Sequence, residues 1–363
     1  MKLLTLIGGA LGAGLAIWLL TRFGLGHVLA LLREAGWGIV AVMAVHLVQM
    51  LFSALGWHAI VGHARPRPSV RDFVLLRWVR EGVNNLLPVA QVGGEFAAVR
   101  LLRRRGVSLV QATAGTVCDL TIEMVTQILF TITGLLLLLY LLGRSQVTDE
   151  VVGGIGIAVL VGVVFLVSQW FGLARLVETG LMKLAGHFGW QGMDEIKGLH
   201  HRLLSLYKSP RQVTLSVVFQ SVSWLLGAFE VCLALHYLGH DRSLATGLVI
   251  ESLGQAVKAA GFVVPGALGV SEGGFVVIGS LFGLPPAVSI ALALIKRLRE
   301  MAFGLPALAA WQWLERRWRP LQGAVLQGPG DTVDPTAQNH PVSPSTLPRE
   351  TASATARAYG DVS

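Results

Sequence analysis

Two stretches decide the fold: Pro88-Val-Ala-Gln-Val-Gly-Gly-Glu95 and, 177 residues further on, Pro265-Gly-Ala-Leu-Gly-Val-Ser-Glu272. Both read Pro-x6-Glu with glycines between. The offset continues without a gap, so that Gly106 falls on Gly283, Asp119 on Lys296 and Glu123 on Glu300. In the other direction the apolar run Gly38–Gly62 falls on Leu215–Gly239, which is apolar too. Several matches in one register, at similar hydropathy boundaries, point to an internal duplication.

Around these motifs the chain is built for lipid. Of its 363 residues, 53% are hydrophobic and 14% charged, with a mean hydropathy of +0.63. Soluble domains carry about 25% charged residues. A spanning helix needs about 20 apolar residues, and Leu3–Leu20, Gly38–Gly62, Val151–Gly172 and Val213–Leu238 qualify directly. Val107–Leu142 and Ala287–Leu314 are longer and interrupted by charge. Leu86–Val99 and Gly261–Phe282 are short or broken by Gly and Pro. The expected fold is an all-α polytopic membrane protein with about six spanning helices and two re-entrant segments, related by an inverted internal repeat. The inversion follows if Val107–Leu142 crosses once; were it a hairpin, the two copies would be parallel. Leu3–Leu20 reads as an anchor rather than a signal peptide, being too long and without a small-residue cleavage site.

The expected organisation is an anchor helix and loop over 1–37, a first repeat over 38–142 with its re-entrant segment at 86–99, and a spanning helix with amphipathic helices over 143–212. A second repeat follows over 213–319 with its re-entrant segment at 261–282. The region 320–363 is a disordered tail by composition, holding six of the 14 prolines. With the N-terminus in the cytoplasm, 19 basic residues fall on the cytoplasmic side and five on the other. That asymmetry satisfies the positive-inside rule and places both termini in the cytoplasm, for a bacterial inner membrane. It also accounts for the net charge of +8 without nucleic acid as a partner.

Inverted copies with Gly/Pro-broken segments at matching positions are a transporter pattern, with the site near the midplane. From Thr113 the residues Thr116, Asp119, Glu123, Gln127 and Thr131 share one helix face, and Ser289, Lys296 and Glu300 occupy the matching face of the second copy. Placing Lys296, Arg297, Arg299 and Glu300 at bilayer depth costs on the order of 10 kcal/mol. They must therefore pair or meet water. Ionisable groups at that depth are functional candidates by default. The candidate cavity residues are Glu95, Asp119, Glu123, Glu272, Lys296, Arg299 and Glu300. Pro88, Gly93, Gly94, Pro265, Gly269 and Gly273 would break the re-entrant helices. No phosphate-binding Gly-x4-Gly-Lys-Ser/Thr loop, catalytic nucleophile, metal trio or cofactor motif occurs. The pair His236-x3-His240 lacks a third ligand, and Cys118 and Cys232 lie in apolar runs.

Leu87-Pro88, Gly93-Gly94-Glu95 and Arg100, together with Pro265 to Gly273, resemble the lysylphosphatidylglycerol synthase transmembrane family over roughly residues 1–318. Within that family, Val83–Glu123 with its Asn84-Asn85 pair is closest to the hopanoid-biosynthesis-associated membrane proteins. The resemblance implies a helical protein that moves or handles lipid, adds Arg100 to the candidate residues, and makes a hopanoid or phospholipid the expected partner. Glu95 stands where Asp is common, Ala267 where Gly is common, and Ser271 where a base is common. The last weakens any preference for anionic headgroups. The 44-residue tail is too short for an aminoacyl-transferring domain, so transport is favoured over catalysis. A membrane-embedded lipid-modifying enzyme and a scaffold for lipid-synthesis enzymes are the alternatives.

Overall fold

The structure is a computed structural model. It describes residues 25–61, 66–87, 93–143, 198–261 and 267–318, with 149, 150, 152–157, 159, 160, 163 and 264. The anchor Leu3–Leu20, Pro88, Pro265, most of Val151–Gly172, the amphipathic region before residue 198 and the tail from 319 lie outside the described residues.

Ten helices are bounded among the described residues: α1 Leu25–Ala35, α2 Trp37–Val61, α3 Val70–Leu86, α4 Gly93–Arg104 and α5 Leu109–Leu142, then α6 Leu199–Tyr207, α7 Pro210–Tyr237, α8 Leu244–Ala260, α9 Val270–Leu281 and α10 Pro286–Arg317. No strand occurs among the described residues. The protein is an all-α polytopic membrane protein, and α2, α5 and α7 are long and apolar enough to cross a bilayer. Six crossings were expected. α10 is long enough at 32 residues, but it carries the Lys296–Glu300 charges and lacks a backbone donor at Pro306.

α5 is one continuous helix of 34 residues, not a hairpin. At 1.5 Å per residue it is about 51 Å long, well beyond the hydrocarbon thickness of roughly 30 Å. Ser108 caps its N-terminus by accepting from Gln111 N, and Gly143, with φ +68°, ends it.

The 177-residue register reappears in the helix bounds. α4 and α9 begin and end 177 residues apart, and α5 and α10 begin 177 residues apart. Gly106 and Gly283, the matched turn residues before the long helices, both have positive φ. The sequence reading missed α3 and α8.

α2 and α7, equivalent under the offset, pack antiparallel along their length. Ser53 donates to Gln220 Oε1 (3.1 Å) and Ser223 to the Gln49 carbonyl (3.1 Å), while Gly38 lies against Tyr237 and Gly56 against Ser216. The two copies are thus inverted relative to one another. Each copy also lends its 17-residue helix to the other: α3 packs on α10 and α8 on α5. Small residues make these crossings close. A Cβ on Gly82 would sit 2.6 Å from Ala307 Cβ, and one on Gly134 would overlap Ser252.

The described part of the expected amphipathic region, α6, buries Leu203 and Leu206 against α5. Tyr207 anchors it by donating to Thr121 Oγ1 (2.9 Å).

Candidate functional site

A buried arginine organises the first half. Arg80, 3% exposed on α3, reaches three carboxylates: its Nε donates to Glu95 (2.9 Å), one terminal nitrogen to Asp119 (2.6 Å) and the other to Glu123 (2.9 Å). Arg77, one turn earlier, grips Glu123 with both terminal nitrogens at 2.9 and 2.7 Å. Such forked, charge-assisted bonds are the strong ones. Glu95 lies in the first turn of α4, where carboxylates meet the positive end of the helix dipole. Asn84 completes the hinge between α3 and α4. Its carbonyl accepts from Gly94 N (2.8 Å) and its amide donates to Glu95 (3.2 Å). A Cβ on Gly94 would lie 2.3 Å from the Arg80 carbonyl, so only glycine permits this approach.

The second half uses the same residue types differently. Glu272 accepts from Gly269 N (2.7 Å), capping its own helix, while Gly269 takes φ +76°. Arg297 bridges Glu272 and Glu300, each at 3.2 Å, and Lys258 from α8 donates to Glu300 (2.5 Å). Lys296 reaches Glu251 (2.6 Å) and Glu230 (3.5 Å), and Arg299 grips Glu230 with its second contact at 2.6 Å. His46 on α2 joins the halves: its Nε2 is 2.9 Å from Glu81 Oε1, and its Nδ1 is 3.9 Å from Glu230 Oε2.

Between these clusters lies a polar cavity of about 250 Å³. Its walls come from both halves: His46, Gln49 and Ser53 on α2; Arg77, Arg80, Glu81, Asn84 and Asn85 on α3; Glu95 on α4; and Glu123 and Gln127 on α5. Gln220 and Trp224 on α7, Gln255 and Lys258 on α8, and Arg299 on α10 add to them, with Met50, Leu120, Met124 and Ala259 as apolar patches. A separate slot of about 20 Å³ lies beside Lys258, Lys296, Arg297 and Glu300.

Of the expected cavity residues, Glu95, Glu123 and Arg299 line the cavity. Asp119 lies behind Arg80, fully buried. Lys296 and Glu300 line the smaller slot instead. The expectation that Glu95 and Glu272 face one pocket is corrected, because Glu272 is consumed by its helix cap and by Arg297, and lines neither space. Arg100 is exposed and pairs with Glu315 (2.7 Å), away from both. Gly93 opens α4, and Gly273 has open space around its Cα rather than a close neighbour.

Six participants were overlooked: His46, Arg77, Arg80, Glu81, Glu230 and Glu251. His46 and Glu230 were findable, since each is a polar residue inside a run already read as a membrane span. Arg77, Arg80 and Lys258 line the cavity rather than loops, so the tally of 19 cytoplasmic to five external bases becomes 17 to four. His236 and His240 form no ligand set: His236 pairs with Asp241 (2.6 Å), and no metal-binding group of three occurs among the described residues.

No curated protein and no solved structure matches the chain. The family described as the lysylphosphatidylglycerol synthase TM region matches residues 5–307. That match takes in every helix of both halves and the cavity between them, to within the last turns of α10. The chain is therefore a membrane protein that belongs to the lysylphosphatidylglycerol synthase TM region family.

Proposed function

We propose that the protein moves lipid between leaflets, holding the headgroup in the cavity between the inverted halves while the tails stay in the bilayer. The observation that carries this is the cavity itself, a polar space of about 250 Å³ lined by α2, α5 and α7, each apolar enough to span a membrane, and by α3, α4, α8 and α10. Binding pockets for whole small molecules run to about 300–1,000 Å³, so this one suits a headgroup rather than a complete lipid. Irregular or polar structure at bilayer depth survives only when it faces protein or water. The ion pairs meet that condition, and they leave a wet surface between them.

Glu95 is the floor of the site. It sits at the junction of α3 and α4, held by Arg80 and Asn84, and lines the cavity. The antiparallel α2–α7 pair gives each half a route to an opposite leaflet, as expected of inverted-repeat transporters. A hopanoid or another lipid with a polar headgroup is the substrate class we assign, in the bacterial inner membrane with both termini cytoplasmic. Lipid-synthesis enzymes are the natural neighbours.

The test is reconstitution into phospholipid vesicles with a headgroup-reporting fluorescent lipid, followed by chemical quenching of the outer leaflet. The protein accelerates exchange between leaflets, and Glu95→Gln combined with Glu123→Gln removes at least about tenfold of the rate, equivalent to about 1.4 kcal/mol in the barrier. An unaccelerated exchange, or a rate unaltered in the double variant, overturns the assignment.

A further inference from the structure

The free hydrogen-bonding groups of the cavity specify what class of headgroup it takes. Its charges are already matched: Arg77 and Arg80 on Glu95, Asp119 and Glu123, Lys258 on Glu300, Arg299 on Glu230. A headgroup phosphate would find N–H groups left over on Arg77 and Arg299 but no cation without a carboxylate partner. Taking either arginine's charge for itself would leave a buried carboxylate unpaired, which is costly.

What the cavity offers without breaking anything is carboxamide. Gln127 donates its amide to the Gln255 carbonyl (3.5 Å), and Gln255 donates its own to Glu251 (2.8 Å). Both partners can only accept, so the side-chain oxygens of Gln127 and Gln255 are free acceptors. Asn85 accepts from Lys258 (3.4 Å), which can only donate, so the Asn85 amide nitrogen is a free donor. These orientations follow from the chemistry of the partners and are not interchangeable. The three groups come from α3, α5 and α8, and all line the same space. Trp224 adds an apolar wall; its indole nitrogen is occupied by Thr126 (3.1 Å), and its ring stacks on Phe130.

A phosphate accepts only and would leave the Gln127 and Gln255 oxygens facing it unpaired. An ammonium donates only and would leave the Asn85 amide unpaired. A hydroxyl does both. We infer that the cavity selects an uncharged, polyhydroxylated headgroup, a sugar or polyol, whose hydroxyls bridge Asn85 to Gln127 and Gln255 while a C–H face lies on Trp224. This rests on the headgroup-in-cavity reading above and names its substrate class. A site built to hydrogen-bond hydroxyls discriminates steeply, because an analogue lacking them leaves buried polar groups unpaired.

The experiment uses the full chain in vesicles with three fluorescent lipids of identical tails, bearing glucosyl, methylphosphate and primary-ammonium headgroups. Exchange of the glucosyl lipid is faster than that of the other two by at least about tenfold, a difference of about 1.4 kcal/mol. Gln127→Leu and Asn85→Leu, each checked for an unshifted melting temperature, shrink that preference without raising the other two rates. If either variant melts early, native mass spectrometry of the wild type with the same three lipids reads the preference directly. Faster exchange of the charged lipids, or equal rates for all three, overturns this inference and leaves the transport reading standing. Failure of every lipid to move overturns both.

Discussion

Glu95 and Glu272 end the same Pro-x6-Glu motif, yet the structure gives them different work. Glu95 lines the cavity at 12% side-chain exposure, with its partners drawn from α3, a different helix. Glu272, at 7%, faces inward to Gly269 of its own helix start and Arg297 of α10. In each half one arginine links the motif glutamate to the matching glutamate of the long helix, Glu123 or Glu300. The arginine itself is not at matching positions. Arg80 corresponds to Val257, and Arg297 to Leu120. The ion-pair geometry has thus been rebuilt from a different helix, which places the first hub beside open space and folds the second shut. Sequence identity at a repeated motif fixes where a charge sits, and its partner's helix decides whether a ligand can reach it.

That asymmetry can be broken first at its keystone. Arg80→Ala strands Asp119 and Glu95 in the interior and costs about 3–5 kcal/mol; thermal unfolding in detergent reads it as loss of most folded protein. Arg80→Lys does not rescue, since an ammonium cannot reproduce the three-way fork. Glu272→Gln keeps an acceptor for Gly269 N but removes the charge facing Arg297, for about 1.5–3 kcal/mol of stability in the same assay. Gly82→Ala sharpens the contrast between copies. Its equivalent in α8 is already alanine, Ala259, which lines the cavity, whereas Gly82 packs against Gly304 and Ala307. Separating those helices costs about 1–3 kcal/mol, more than the roughly 1 kcal/mol that alanine gains in helix propensity. The smallest effect belongs to Arg100→Ala. Arg100 is exposed and Glu315 keeps Arg104 at 3.4 Å, so the loss is about 0–1 kcal/mol, and melting and lipid exchange stay near wild type.

How much of this was readable before the structure divides by helix. The helical class, the paired motifs and the polar face of α5 followed from periodicity, because α5 is long and its polar residues recur every three or four positions. The helix bounds around Gly93 and Val270 obey the offset that the motif suggested. α3 was hidden because Arg71, Arg77 and Arg80 make it polar on average, and a polar segment beside spans reads as a loop. Arg77 and Arg80 are inside because their carboxylates lie on α4 and α5, as far as 46 residues along the chain. No local window contains that pairing. Glu230 was masked the other way, as one charge averaged into an apolar helix. The reading of Arg100 as a site residue came from its motif alone, and the geometry places it on the surface opposite Glu315.

The central claim is that one wall of the site belongs to the first motif and none to the second. Measured side by side in the same vesicles, inter-leaflet lipid exchange falls by about tenfold in Glu95→Gln and stays within about twofold of wild type in Glu272→Gln once equal folded protein is incorporated. Equal losses in both variants, or a larger loss in Glu272→Gln, would contradict it.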